Sequence, residues 1–117
     1  MADSVFRDKA KEFAKAIVFL CRDMKSAHKE TVLINQLLRS ATSIGANLHE
    51  AQYAQSKNDF ISKLEIALKE ANETGYWLEL LYRTNYIDEQ KFKELSSKCT
   101  SIRVVLIASC KTAKENI

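Results

Sequence analysis

Apolar side chains recur along this chain at alternating intervals of three and four residues, in four separate runs. Phe6, Ala10, Phe13, Ile17, Leu20 and Met24 line one face of a first helix, from about Ser4 to Met24. Ile34, Leu37, Ala41, Ile44, Leu48 and Ala51 do the same for a second, near Glu30 to Ala54. The third seam is Phe60, Leu64, Ala67, Ala71, Thr74, Leu78 and Leu81, and the fourth is Phe92, Leu95, Cys99, Ile102, Leu106, Ser109 and Ala113. Capping chemistry stands at the expected starts. Asp3 or Ser4 can cap the first helix, Ser56 with Asp59 forms a capping-box variant, and Asp88 precedes the fourth. Ile87 is placed to staple onto Phe92 across that last cap.

The links near 25–29, 54–57 and 84–87 are short and polar, so helices adjacent in sequence must lie antiparallel. The fold read from this is all-α, an antiparallel up-down-up-down four-helix bundle in a single domain over 1–117. Helices 1 and 4 then become neighbours as well. Composition agrees: 46% hydrophobic and 28% charged residues are those of a soluble globular chain. The absence of proline and the presence of only two glycines argue against an all-β fold, which needs both at its turns.

More apolar surface is present than four seams consume. Ile66, Trp77 and Leu80 form a second strip on helix 3, Val104 and Ile107 lie on the outer face of helix 4, and Val18 adds to helix 1. Two readings stand: a wide core stripe, or burial against other copies of the chain, in which Trp77 would anchor the contact. Gly45 and Gly75 sit inside helices at a cost of about 1 kcal/mol each relative to alanine. Close approach of another helix backbone is the expected reason. Ser40, Ser43 and Asn47 make a polar flank on helix 2, either a solvated edge or a second place of close helix contact.

Reaction chemistry is not legible. Neither His28 nor His49 has a glutamate three residues before it, as a di-iron bundle requires, and HExxH is absent, so no metal and no cofactor are expected. Glu65, Glu70, Glu73 and Glu79 on helix 3 read as a salt-bridged face, with Lys69 four residues after Glu65. No phosphate loop or nucleophile motif is found, and an enzyme survives only as a pocket between subunits. Cys21, Cys99 and Cys110 show no CxxC spacing, and Cys99 and Cys110 lie about 16 Å apart along one helix. Buried free thiols in a reducing cytoplasm are expected. The apolar runs Ala16–Cys21 and Val104–Ala108 are too short to span a bilayer, so no membrane role and no targeting segment are read.

Charge is uneven. Residues 1–29 carry a formal +3, residues 30–90 −4 and residues 91–117 +4. Arg7, Lys11, Lys15, Arg22 and Lys25 fall within about 80° of one another on helix 1, opposite its seam. Helix 4 adds Lys93, Arg103, Lys111 and Lys114, more dispersed. Such a stripe is either a solvated face or, repeated around an oligomer, a positive band for phosphates of RNA or DNA. No aromatic residue is expected to interleave it, so recognition would rest on the backbone or on RNA shape. The competing reading is a scaffold whose partner is another protein.

SIGANLHEA at 43–51 and QSKNDFISKLEIALKEANETGYWLELL at 55–81, with QLLRSAT at 36–42 before them, resemble the bacterial four-helix-bundle family known as 23S rRNA intervening-sequence proteins. The resemblance is close over helices 2 and 3 and one of pattern over helices 1 and 4. It implies a small protein often encoded within inserted segments of ribosomal RNA genes. It also implies a fold similar to the accessory variability determinant of diversity-generating retroelements, whose members assemble as pentamers and contact reverse transcriptase and nucleic acid. A homo-oligomer, a pentamer on this ground, is therefore expected, with no catalytic residue to carry over. Gly45 stands where many relatives are expected to have proline or another small residue, so helix 2 need not kink there.

Overall fold

The computed structural model describes residues 4–28 and 30–116, and contains four helices and no strand among them. They are α1 (Ser4–Ala27), α2 (Val32–Gln52), α3 (Lys57–Arg83) and α4 (Glu89–Glu115). The rod they form measures 48 × 22 × 20 Å. Its length is that of helices of this size, which rise about 1.5 Å per residue.

Three of the four helices begin where a side chain satisfies their free amides. Ser56 Oγ accepts the Asp59 N–H at 3.0 Å, and Asp59 returns the bond to the N–H of Gln55 at 3.1 Å, one residue before the cap. Asp88 Oδ1 accepts from Lys91 N–H at 2.8 Å. Of the two caps considered for α1, Asp3 lies outside the described residues and Ser4 is the first residue of the helix. The start of α2 differs from expectation. Glu30 is not helical; its carboxylate accepts the N–H groups of Val32 and Leu33 and so caps the helix from outside. The α1–α2 link therefore falls at 28–31, because α1 continues to Ala27.

α3 ends in a Schellman motif built on Asn85, whose φ of 68° suits a residue that tolerates the left-handed region. Tyr86 N–H donates to Leu81 O at 2.8 Å and Asn85 N–H to Tyr82 O at 3.1 Å. Ile87 is then buried, and Phe92 stacks flat on Tyr82 with centroids 4.5 Å apart. The same turn is tied back to the opposite link. Tyr86 Oη donates to Glu30 at 2.6 Å and packs on the His28 ring at 4.3 Å.

The core follows the four seams with a small rotation. Ile17, Ile34, Leu37, Ile44, Leu78, Leu81 and Leu106 are fully enclosed. At three positions the inward residue is the one after that expected: Cys21 rather than Leu20, Ile61 rather than Phe60, and Cys110 rather than Ser109. A nearly straight helix turns 3.6 residues, so a strict three-four pattern drifts off its face over several turns. All three cysteines are buried free thiols. Burial pushes Cys21 and Cys99 up to about 11 and also raises Cys110, so none is a thiolate near neutrality.

Polar contacts bind α2 to α3. Thr74 Oγ1 donates to Ser40 Oγ at 3.0 Å, both side chains fully buried, which places Ser40 inside the core rather than on a solvated flank. Above them the half-exposed Arg39 reaches Glu70, 92% of whose surface is covered, at 3.2 Å, and also Glu73. Asn47 and Ser43 bond each other within α2, Asn47 Nδ2 donating to Ser43 O at 2.9 Å. The glycines do not mark close helix approach within the chain. A Cβ on Gly45 would meet Ala10 O at 4.0 Å, an ordinary contact, and one on Gly75 would meet open space.

Two outcomes follow for stability. Leu37→Ala should lower the unfolding free energy by about 2–5 kcal/mol in urea titrations, whereas Gly75→Ala should raise it by about 1 kcal/mol. Hydrogen bonds from Tyr86 to Glu30 and from Trp77 and Arg39 to Glu73 hold both carboxyls below their ordinary value of 4.5. A depressed carboxyl stabilises the fold above its unfolded pKa, and that contribution disappears as pH falls through the folded one. Thermal scans from pH 6 to pH 3 should thus show a shallower loss in Glu30→Gln/Glu73→Gln than in the parent chain.

Candidate nucleic-acid interface and assembly surface

Heptad-like seams orient everything else on these helices. On α1, Lys11, Lys15 and Arg22 project opposite the buried Ala10 and Ile17 and are exposed. Arg7 and Lys25 lie nearer α2, on the flank that Cys21 turns to Ile34 O at 3.7 Å. On α4, Arg103 and Lys114 lie on the α3 flank: Lys114 pairs with Glu65 of α3 at 2.5 Å, and the neighbouring Cys99 donates to Ala71 O. Glu65 thus meets Lys114 across the bundle and not Lys69 on its own helix. Lys93 and Lys111 face outward, Lys93 in a 3.0 Å pair with Glu89. Lys9 and Lys15 of α1 and Lys98 of α4 line the groove between the two helices, whereas the other cations of α1 and α4 turn away from each other. They form two separate strips on one protomer, not the side-by-side face that adjacency of the helices suggested.

Between the strips the α1–α4 seam stays open. A groove of about 990 Å³ runs along it, floored by Phe13, Ala16 and Ile102. It continues into a second groove, about 850 Å³, at the end of the bundle where Phe6, Leu48, Phe60 and Val105 converge. Val5, Phe19 and Val105 stand exposed along this seam and Val104, at 56%, borders the end groove, while Ile107, 47% exposed, lies on the α3 flank of α4. Val5, Phe19 and Val105 escaped the sequence reading. Their signal was a wheel position just outside the seam on the flank facing the other terminal helix, visible only once that flank is known to stay open.

The α3 strip is different. Ile66, Trp77 and Leu80 are half-buried, and Trp77 packs against the core. Its indole N–H donates to Glu73 at 2.9 Å, and Tyr76 meets it edge-on at 4.9 Å. Much of that strip is accounted for within the chain. Val18 is likewise half-buried.

One expectation about the basic stripe is corrected. An aromatic residue does adjoin it: the Arg22 guanidinium lies over the Phe19 ring, 5.6 Å from its centroid. Phe19 was overlooked because it sits at the edge of the stripe and reads as part of the apolar run Ala16–Cys21. The remaining charged groups are mostly paired in the acidic middle, by Arg39 with Glu70 and Glu73, Lys63 with Asp59 and Arg83 with Glu79. Among the described residues Lys11, Arg22, Lys25 and Lys111 have no carboxylate within salt-bridge reach, and Lys15 only Glu12 at 4.0 Å. Also among the described residues, no group of three or more His, Cys, Asp or Glu could hold a metal, and no helix is long and apolar enough to cross a membrane.

Comparison with known proteins gives a consistent relationship. A solved protein of unknown function from the S23 ribosomal protein family of Bacteroides thetaiotaomicron VPI-5482 is 52% identical. It superposes with a TM-score of 0.88, the match covering 91% of this chain and 98% of that one. A search of curated proteins gives no match. The model of the 23S rRNA-intervening sequence proteins matches residues 2–108, from the cationic face of α1 to the open seam of α4, and the chain belongs to that family.

Proposed function

We propose that this chain is a non-enzymatic accessory protein that assembles with copies of itself and binds nucleic acid, RNA in preference to DNA. The observation that carries the binding half is the outward row of α1. Lys11, Arg22 and Lys25 are exposed with no carboxylate partner among the described residues, while the acids of α3 are engaged by other cations. Uncommitted cations spaced along a rigid helix suit a phosphate backbone. Arg7, at one end of that row, and Arg103 and Lys111 on α4 complete the binding residues.

Assembly is supported by the apolar seam. Soluble monomers rarely leave contiguous apolar patches uncovered; Val104 and Val105 line the apolar end groove, and Ile107 adds exposed apolar surface on the α3 flank of α4. Ile66, Trp77 and Leu80 would add the rim of the contact from α3. Around a ring of copies, the two cationic strips of each protomer would meet those of its neighbours and form one belt. The family resemblance suggests five copies. The same exposed apolar residues favour a second reading, a scaffold for another protein, whose partner would stay bound after nuclease treatment of a native pull-down.

Affinity for structured RNA, duplex DNA and heparin, measured by fluorescence anisotropy across a salt series, tests the reading. RNA should bind tightest, with log affinity falling linearly in log salt by about 0.9 or less per phosphate engaged. Lys15→Glu/Arg22→Glu should weaken binding at least about tenfold while the assembly mass is unchanged. A folded protein that binds none of the three at low salt would end the proposal.

A further inference from the structure

The two grooves of the open seam differ in chemistry. The end groove is lined chiefly by apolar groups such as Leu48, Ala51, Phe60 and Ala108, as a surface for another copy should be. The end groove has the charges of Arg7 and Lys57; the side groove is as apolar but is lined by more charged groups. Its apolar floor is walled by hydroxyls of Ser97 and Ser101 on α4 and by charged side chains of both signs. Asp8, Lys9 and Glu12 stand toward the start of α1; past them the lining charges are the cations Lys15 and, across the groove on α4, Lys98, with Arg22 beyond the groove's edge. At this cationic end Phe19 is half exposed beneath the Arg22 guanidinium. Asp23, exposed on the next turn of α1, closes the cationic stretch.

We propose that this end of the side groove takes an unpaired base of single-stranded nucleic acid, stacked on the Phe19–Arg22 pair, with adjoining phosphates on Lys15 and Lys98. The inference rests on the nucleic-acid reading above and names the form that is bound. A flat aromatic ring capped by a guanidinium offers a stacking surface to any base, since every base has a π-face. A volume near 990 Å³ accommodates a nucleotide-sized group, and the hydroxyls of Ser97 and Ser101 offer it hydrogen bonds without sequence discrimination. Duplex nucleic acid keeps its bases stacked inside and has nothing to insert. The groove therefore selects single strands, loops and ends, as proteins that read unstacked RNA do.

The test uses the full chain with a fluorescent 12-nucleotide oligouridylate and a blunt RNA duplex of equal length. The single strand should bind more tightly. Phe19→Ala should weaken it about tenfold while leaving duplex binding and the salt slope unchanged. Phe19→Trp should restore affinity, and an enhanced emission quench on adding the single strand, over that seen with Phe19→Tyr, would place a base on the ring. Lys98→Gln should weaken the single strand and lower its salt slope by about one. Equal binding of both RNAs, untouched by Phe19→Ala, would overturn this inference and leave backbone binding standing. Loss of assembly mass in Phe19→Ala, with RNA binding intact, would overturn it in favour of a second copy in the groove. Absence of binding to either RNA at low salt would remove both readings together.

Discussion

Four apolar stripes must be covered, and in this bundle three of the four seams between neighbouring helices are closed while the fourth is not. α2 meets α3, α3 meets α4 and α1 meets α2 over long stretches, and the fully buried Ile17, Ile34, Leu37, Leu78 and Leu106 fill the space between them. α1 and α4, the terminal helices, touch sparingly along their shared edge. Every other property of the surface follows from that asymmetry. The open seam leaves Val5, Phe19 and Val105 in water and holds Lys15 and Lys98 along its groove, while Lys11, Lys25 and Lys111 face away from it.

The polar contacts sit where they reinforce the closed seams. Ser40 and Thr74 exchange a hydrogen bond at the centre of the α2–α3 contact, and Arg39 lies over Glu70 and Glu73 at its edge. A buried pair of hydroxyls contributes little net stability, but it leaves no orphan group and fixes one register between two helices. At the bottom of the rod Tyr86 and Glu30 join the two links, so α1 is held by α2 and by this tie rather than by α4. The acids of the middle of the chain are consumed in these roles. Among the described residues, Lys11, Arg22, Lys25 and Lys111 near the ends, and Lys57 and Lys69 in the middle, are exposed with no carboxylate partner and so are available to a polyanion.

Most of the fold was legible from spacing, because a helix that buries one face must repeat apolar residues every three or four positions. Ile34 through Ala51 on α2 match the buried set completely apart from Ser40. Cys21, Ile61 and Cys110 were missed because a one-residue drift of the inward face leaves no trace in a pattern of threes and fours. Glu70 was read as part of an exposed ionic face, and its burial depends on Arg39, 31 residues away in sequence. The cap of α2 was obscured because Glu30 reaches back into the helix from outside it. The candidate surface was less legible. The exposed residues at Val104 and Ile107 were visible on the wheel, but Phe19, Val105 and Val5 are exposed only because α1 and α4 stand apart, and no local pattern reports a gap between two helices 80 residues apart.

We propose that other copies of the chain cover the apolar seam the protomer leaves open. Sedimentation velocity at micromolar concentration, on the parent chain and on Val104→Glu/Val105→Glu, tests this. A parent species at a whole-number multiple of the 13.3 kDa chain, reduced to one chain in the variant with its helicity kept, is the result expected. A parent that sediments as a single 13.3 kDa chain would contradict it.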